Sequence, residues 1–154
     1  MHFTSLTIAA LATLTPLAHA VGNATVYNKC TSNVYVWSVG GSIGPEQTLG
    51  QGQEYTEAYH IDPVSGGIAI KVTRTSDGLY SGAPQTIFSY TLQNGGVWYD
   101  LSDVFGDAFS GSHIEVVPSD SGCQSIDWTT GTSPGGSQVK VCESGTSLTL
   151  TLCA

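Results

Sequence analysis

The sequence predicts an all-β protein, a sandwich or barrel with roughly eight or more short strands in one domain. Segments rich in β-branched and aromatic residues alternate with segments rich in Gly, Asn, Asp, Ser and Pro. No segment sustains the 3.6-residue apolar repeat that predicts a long helix. The 154 residues contain no internal repeat and no linker long enough to separate domains.

The opening stretch, residues 24–39 (ATVYNKCTSNVYVWSV), predicts two short strands because β-branched and aromatic residues fill it. The segment Thr31-Ser32-Asn33 supplies turn residues between them. Cys30 stands at this turn, and the last residue but one, Cys153, is also a cysteine. We therefore expect this first hairpin to lie beside the last strand of the chain.

Turn residues separate the later strands. Asn94-Gly95-Gly96 is a hairpin signal between two apolar runs, and Pro118 ends another strand. A loop is expected over residues 123–136, and residues 103–112 are the one segment in which we expect a short helical turn. The predicted strands after the opening stretch are 49–59, 68–74, 86–92, 97–101, 113–117, 139–142 and 148–153.

The N-terminal segment, residues 1–20, predicts a secretory signal peptide. Its apolar run ends in Ala18-His19-Ala20, a small-x-small cleavage pattern. The run is too short and too rich in Thr for the ~20 apolar residues that span a bilayer, and a signal anchor is the alternative. Cleavage after Ala20 leaves residues 21–154 as a secreted, extracellular domain.

The chain is acidic and poor in charged side chains, with a formal net charge of −8. This charge argues against nucleic acid and anionic membranes as partners. The sequence contains no phosphate-binding loop and no dinucleotide fingerprint. We expect a monomer without a cofactor.

Four cysteines follow the predicted signal, and an even count in a secreted chain indicates disulfides. Three pairings are possible, of which we favour Cys30–Cys153 and Cys123–Cys142. In the chain-entropy model the first contributes about 4–5 kcal/mol and the second about 3 kcal/mol. A zinc site is the alternative, but the sequence has no C-x-x-C pair to hold the metal.

Short motifs follow one another along most of the mature chain: YNKC at 27–30, VW at 36–37, SGGI at 65–68, FSYTL at 88–92 and WYDLS at 98–102. With the cysteine next to the C-terminal residue, their order and spacing resemble the thaumatin-like family in a small fungal form. The chain is most similar to the antigenic thaumatin-like, yeast-phase-specific secreted proteins of fungi. The resemblance implies a compact antiparallel β-sandwich that lacks the disulfide-rich second domain of the large plant members. It also implies a surface or wall-associated antigen with roles in growth and host contact.

Some larger members of that family cleave or bind β-1,3-glucan in an acidic cleft, and the resemblance implies a candidate cleft here. Asp100 matches the aspartate of the family's Tyr-x-Asp-Ile-Ser segment, and Arg74 is the match for its arginine. Ser89 stands where the family has a glutamate, and a serine cannot act as the acid. Asp103 and Asp107 are nearby substitutes, because glycoside hydrolysis needs one protonated and one ionised carboxyl. The alternative is that Asp100 only shapes the turn after a strand.

Aromatic rings suggest sugar binding without catalysis, because a flat exposed ring can stack on the apolar face of a glucose. Trp128 lies in a loop rich in Ser, Thr and Gly and is expected to be the ring least buried in the core. The alternative is that the rings are core residues. The candidates are Trp128, Tyr80, Trp37 and Trp98.

No metal is expected from the sequence. A copper site would need His19 at the mature N-terminus with His60 or His113, and the cleavage pattern favours a later cut. The aspartates near residue 103 lack the ligand spacing of a calcium loop. Asn23-Ala24-Thr25 is an N-glycosylation sequon near the mature N-terminus.

The sequence thus predicts a secreted surface protein that binds cell-wall polysaccharide such as β-glucan, or a host surface protein, without catalysis. A weak endo-β-1,3-glucanase that uses Asp100 with Asp103 or Asp107 is the alternative. A secreted inhibitor of a partner's enzyme is a third hypothesis.

Overall fold

The computed structural model describes residues 20–154, which form two packed β-sheets and one short helix. The predicted signal peptide lies outside the described residues apart from Ala20. The strands are β1 (Asn23–Asn28), β2 (Val34–Val39), β3 (Gln47–Leu49), β4 (Glu54–Ala58), β5 (Ile68–Thr73), β6 (Gln85–Gln93), β7 (Gly96–Val104), β8 (Ile114–Pro118), β9 (Ile126–Trp128), β10 (Lys140–Glu143) and β11 (Leu148–Leu152). The helix, α1, spans Gly78–Ser81.

The all-β prediction is confirmed. One sheet has five strands in the order β4-β1-β11-β8-β9, and the other has six in the order β10-β7-β6-β5-β2-β3. All neighbouring strands are antiparallel except β1 and β11, which run parallel. Within residues 20–154, no helix has the length and apolar character needed to cross a membrane.

The core lies between the two sheets and follows the two-residue period of the strands. In β5 the side chains of Ile68, Ile70 and Val72 are buried, and in β6 those of Phe88 and Tyr90 are buried, as the alternation predicted. Burial of each such side chain stabilises the fold by about 1.5–3 kcal/mol. The outer faces of both sheets therefore carry mostly polar and partly exposed residues, and the buried Trp37 of β2 is an exception.

The two ends of the described chain meet as expected, but not through a hairpin. β1 pairs with β11, and a disulfide joins Cys30 to Cys153 with a Cα–Cα distance of 5.0 Å. β1 and β2 lie in different sheets, so the prediction that they form a hairpin is wrong. The buried Asn28 side chain accounts for this, because its amide donates to the carbonyl oxygens of Ser32 and Leu49 and its oxygen accepts from Cys30 N–H. These bonds turn the chain from one sheet into the other.

The β6–β7 hairpin carries the candidate site. Its strands pair from Gln85 opposite Val104 to Gln93 opposite Gly96. Asn94 (φ 51°) and Gly95 (φ 77°) form the turn, and two positive φ values are typical of type I′. The hairpin that the sequence predicted here is confirmed.

Three local predictions are corrected. The short helix lies at Gly78–Ser81, whereas the expected helical segment 103–112 continues β7 to Val104 and then turns. Positive φ at Phe105 (61°) and Gly106 (113°) interrupts any helix there, and single turns follow, closed by hydrogen bonds from Ser110 N–H to Asp107 O and from Ser112 N–H to Phe109 O. The predicted loop 123–136 contains β9, and the predicted strand 49–59 is divided between β3 and β4, which lie in different sheets.

Candidate functional site

The candidate site lies on the outer face of the six-stranded sheet. Side chains alternate along each strand, so the residues between the buried ones point away from the core. Cross-strand pairing places Val39, Ala69, Ser89 and Asp100 in one row across β2, β5, β6 and β7. Four neighbouring strands span about 14 Å at the usual strand spacing. This row is the floor of a surface groove that crosses the strands.

Three adjoining hollows form this groove, and we call them together the outer groove. The first, about 570 Å³, lies over β2, β5 and β6 and includes Lys71. The second, about 230 Å³, shares Ser89 with the first and adds Trp98. The third, about 450 Å³, shares Asp100 with the second. Because neighbouring hollows share lining residues, they adjoin one another from β2 to the loop after β7.

Two aromatic rings stand beside the outer groove. Trp98 is 44% exposed and lines the second hollow, and Phe105 is 67% exposed and lines the third. Sequence reasoning missed Phe105. Its positive φ is uncommon for a bulky residue, and Gly106 follows it in the same turn. The Phe-Gly pair at the end of a strand was the signal that could have indicated a turn carrying an exposed ring.

The three predicted aspartates all line the third hollow, although they come from both β7 and the loop that follows it. Thr86 Oγ1 donates a hydrogen bond of 2.6 Å to Asp103 Oδ1. Asp103 Oδ2 is buried and has no hydrogen-bond partner among the described residues. Desolvation by burial raises the pKa of Asp103 to about 7 against the lowering effect of Thr86, and the Asp107 carboxyl adds to the rise. Asp103 is therefore mostly protonated in mildly acidic solution.

Asp100 has a different environment. Burial raises the pKa of Asp100 above its ordinary value, and the backbone N–H of Leu101 opposes that rise. The residue directly opposite Asp100 on β6 is Ser89. Ser89 therefore offers a hydroxyl beside Asp100, where a second carboxyl would be needed for hydrolysis.

Arg74, the fourth predicted cleft residue, does not line the outer groove. Its Nε donates to the carbonyl oxygen of Ala108 at 3.0 Å, and its guanidinium carbon lies 4.7 Å from the centre of the Phe109 ring. Its Nη2 is 3.8 Å from the sulfur of Cys30 and 3.6 Å from that of Cys153. Arg74 thus ties the loop after Asp103 to the disulfide between the chain ends, through a cation–π contact and hydrogen bonds.

Two of the four predicted binding rings are buried. Trp128 and Trp37 are each 1% exposed, so the expectation that Trp128 is the ring least buried in the core is wrong. Trp128 belongs to β9, which pairs with β8, and its Nε1 donates to Gln138 Oε1 at 3.3 Å. Tyr80 is 65% exposed on α1, outside the lining of the outer groove. Of the four, only Trp98 offers a ring to the outer groove.

A second disulfide lies near Trp98, outside the lining of the outer groove. Cys123 and Cys142 are joined with a Cα–Cα distance of 5.8 Å, which ties the loop before β9 to β10. In β10, Val141 is the cross-strand partner of Trp98.

The glycosylation sequon begins at Asn23, the exposed first residue of β1, so a glycan there would project from the start of that strand.

Residues 11–154 match the sequence profile of the Bys1 family, which is described as Blastomyces yeast-phase-specific protein. The chain belongs to this family. It is 38% identical over 132 residues to the antigenic thaumatin-like protein of Arthroderma benhamiae, with 82% of this chain and 66% of that protein covered. It is 31% identical over 144 residues to the secreted thaumatin-like protein calA of Emericella nidulans, with 85% and 81% covered. The chain thus spans just under two thirds of the length of the Arthroderma relative.

Solved structures share the fold of this Bys1 family member. The protein elicitor MoHrip2 from Magnaporthe oryzae superposes with a TM-score of 0.72 at 28% identity, with 86% of this chain and 99% of that chain covered. The thaumatin-like xylanase inhibitor TLXI superposes with a TM-score of 0.60 at 14% identity, with 85% and 99% covered, and shows the fold alone. The predicted thaumatin-like β-sandwich is confirmed. The relative named as secreted and the two disulfides support an extracellular location.

Proposed function

We propose that this protein is a secreted, non-catalytic polysaccharide-binding protein and that the outer groove is its binding site. The observation that carries the proposal is the exposed Trp98 ring in the lining of the outer groove. An indole presents a flat apolar face on which a sugar ring can stack. Ser89, Thr91 and Asp100 line the same hollow and offer hydroxyl and carboxyl groups for hydrogen bonds to sugar hydroxyls.

The shape and charge of the protein favour a neutral polymer. The outer groove is open and crosses several strands, so it suits the interior of an extended chain. The formal net charge of −8 disfavours anionic polysaccharides. A β-glucan of the cell wall has the required chemistry, and binding to it would hold the secreted protein at the wall.

Retention on insoluble β-1,3-glucan, chitin and whole cell walls tests the proposal. Trp98→Ala is expected to weaken glucan binding by about tenfold, which corresponds to about 1.4 kcal/mol. Tyr80→Ala is the matched control, because Tyr80 is an exposed ring outside the outer groove. Binding by the Trp98 variant equal to that of the unmodified protein would contradict the site. Failure to bind any polysaccharide would contradict the function and favour a host surface protein, a partner consistent with the elicitor among its structural relatives.

A weak endo-β-1,3-glucanase is the second candidate, and the raised pKa of Asp103 is the observation that favours it. A carboxylic acid with a pKa of about 7 can donate a proton to a leaving group, and Asp100 lines the same hollow as a second carboxyl. Release of reducing sugar from laminarin at acid pH tests this activity. Activity that is lost in Asp103→Asn would support it, and the absence of activity in the unmodified protein would remove it.

A further inference from the structure

A second group of potential ligands lies on the other sheet, away from the outer groove. His113 directly precedes β8, Glu115 follows two residues later on the same side of the strand, and Asp127 is the cross-strand partner of Glu115 in β9. One ligand atom from each of the three lies within 4.8 Å of the other two. His113 Nε2 is 3.1 Å from Asp127 Oδ1.

We propose that His113, Glu115 and Asp127 bind one divalent transition-metal ion, with Zn²⁺ as the expected ion. Tetrahedral zinc bonds of about 2.0–2.2 Å to imidazole nitrogen and carboxylate oxygen place two ligand atoms of one ion about 3.3–3.6 Å apart. The observed separation of 3.1 Å between His113 Nε2 and Asp127 Oδ1 is a hydrogen-bond distance close to this spacing. Three protein ligands leave a coordination position for water, and the imidazole selects Zn²⁺ over Ca²⁺ and Mg²⁺, which prefer oxygen ligands alone.

The charges of the cluster give an independent reason for a cation. Glu115 and Asp127 are directly opposite each other, and like charges in that relation destabilise a pair of strands. Among residues 20–154, the one side-chain ion pair within 4.0 Å is that between His113 and Asp127, so no Lys or Arg neutralises the two carboxylates at this distance. A divalent ion would neutralise both of them.

The backbone holds the ligands in place before any ion binds. Glu115 and Asp127 lie within hydrogen-bonded strands, and the backbone N–H of Ala154 donates to the carbonyl oxygen of His113 at 2.9 Å. Ligands on strands need less ordering than ligands on loops. The other cluster of similar composition, around Cys123 and Cys142, is excluded because a disulfide occupies both sulfurs.

Isothermal titration of the untagged protein with ZnCl₂ at neutral pH tests the site. We expect one ion per chain, with binding weakened at least about tenfold in both His113→Ala and Asp127→Asn. His60→Ala is the matched control, because His60 is the other histidine among the described residues and lies on an exposed loop. Circular dichroism of each variant separates loss of a ligand from loss of the fold.

Substitution with Co²⁺ gives a second readout, because its visible absorption depends on the ligands. The absorption is expected in the unmodified protein and in His60→Ala and not in His113→Ala. Absence of saturable Zn²⁺ binding would show that the cluster is an ion pair only and would overturn the proposal. Unchanged affinity in both ligand variants would also overturn it. Since the outer groove is on the other sheet, neither result bears on polysaccharide binding.

Discussion

Ser89 and Asp100 face each other across the β6–β7 ladder, in the middle of the outer groove. We predict that Ser89→Glu lowers the free energy of unfolding at neutral pH by about 0.2–1 kcal/mol, because two carboxylates would then be directly opposite. Urea unfolding measures the change. The isosteric control Ser89→Gln carries no charge and is expected to have no such pH-dependent loss. A loss of equal size for Ser89→Gln at every pH would show that size and not charge is responsible.

The raised pKa of Asp103 predicts that stability falls as the pH rises. Between its ordinary value of 3.8 and about 7, Asp103 stays protonated in the folded protein but ionises in the unfolded chain. The folded state then binds more protons, so its stability decreases through this window and levels off above about pH 7. Asp103→Asn keeps an acceptor for Thr86 without the ionisation. The melting temperature of Asp103→Asn minus that of the unmodified protein should therefore be larger at about pH 8 than at about pH 4. Parallel curves for the two proteins across the window would contradict the assignment.

Glu57 joins the two sheets through hydrogen bonds to two tyrosines. Tyr55 Oη donates to Glu57 Oε2 at 2.5 Å, and Tyr90 Oη, from the other sheet, donates to Glu57 Oε1 at 2.7 Å. We predict that Glu57→Ala costs about 1–3 kcal/mol, because the partly buried hydroxyls lose a charged acceptor. Glu54→Ala on the same strand is the control and should change stability by less than about 0.5 kcal/mol, because Glu54 is exposed. Equal effects of the two substitutions in denaturant unfolding would refute this role.

The difference in burial between Trp128 and Trp98 predicts that their substitution by alanine has very different effects on stability. Trp128→Ala removes a fully buried ring and should cost about 3–5 kcal/mol of stability. Trp98→Ala should change stability by much less, because nearly half of that side chain is exposed. Thermal unfolding of the two variants measures the difference. A stable Trp128 variant would show that β9 does not contribute to the core.

Much of the fold could be predicted from local pattern. The alternation in residues 68–74 and 86–92 indicated which side chains are buried, since the two-residue period depends only on strand geometry. The Asn94-Gly95 turn specified a hairpin because both positions need positive φ. The three-residue strand β9 and the four-residue helix α1 escaped prediction because each is too short to show a period.

Less of the candidate site could be predicted. The three aspartates were close enough in sequence for their proximity in the third hollow to be expected. The position of Arg74 beside Phe109 and the disulfide, outside the outer groove, was not predictable. It depends on contacts between residues more than thirty positions apart in sequence. Phe105 was overlooked because no periodic pattern marks a ring held in a turn.

The order of residues along the chain was sufficient for the all-β class, the hairpin and the family, because these depend on neighbours in sequence. Only the tertiary structure decided which rings are exposed and at which pH Asp103 ionises. Trp128 and Trp98 are the same type of residue, yet Trp128 lies between the sheets and Trp98 lies on an outer face. Burial and pKa are set by groups that folding brings together from distant positions, as Thr86 and Asp103 are brought together here.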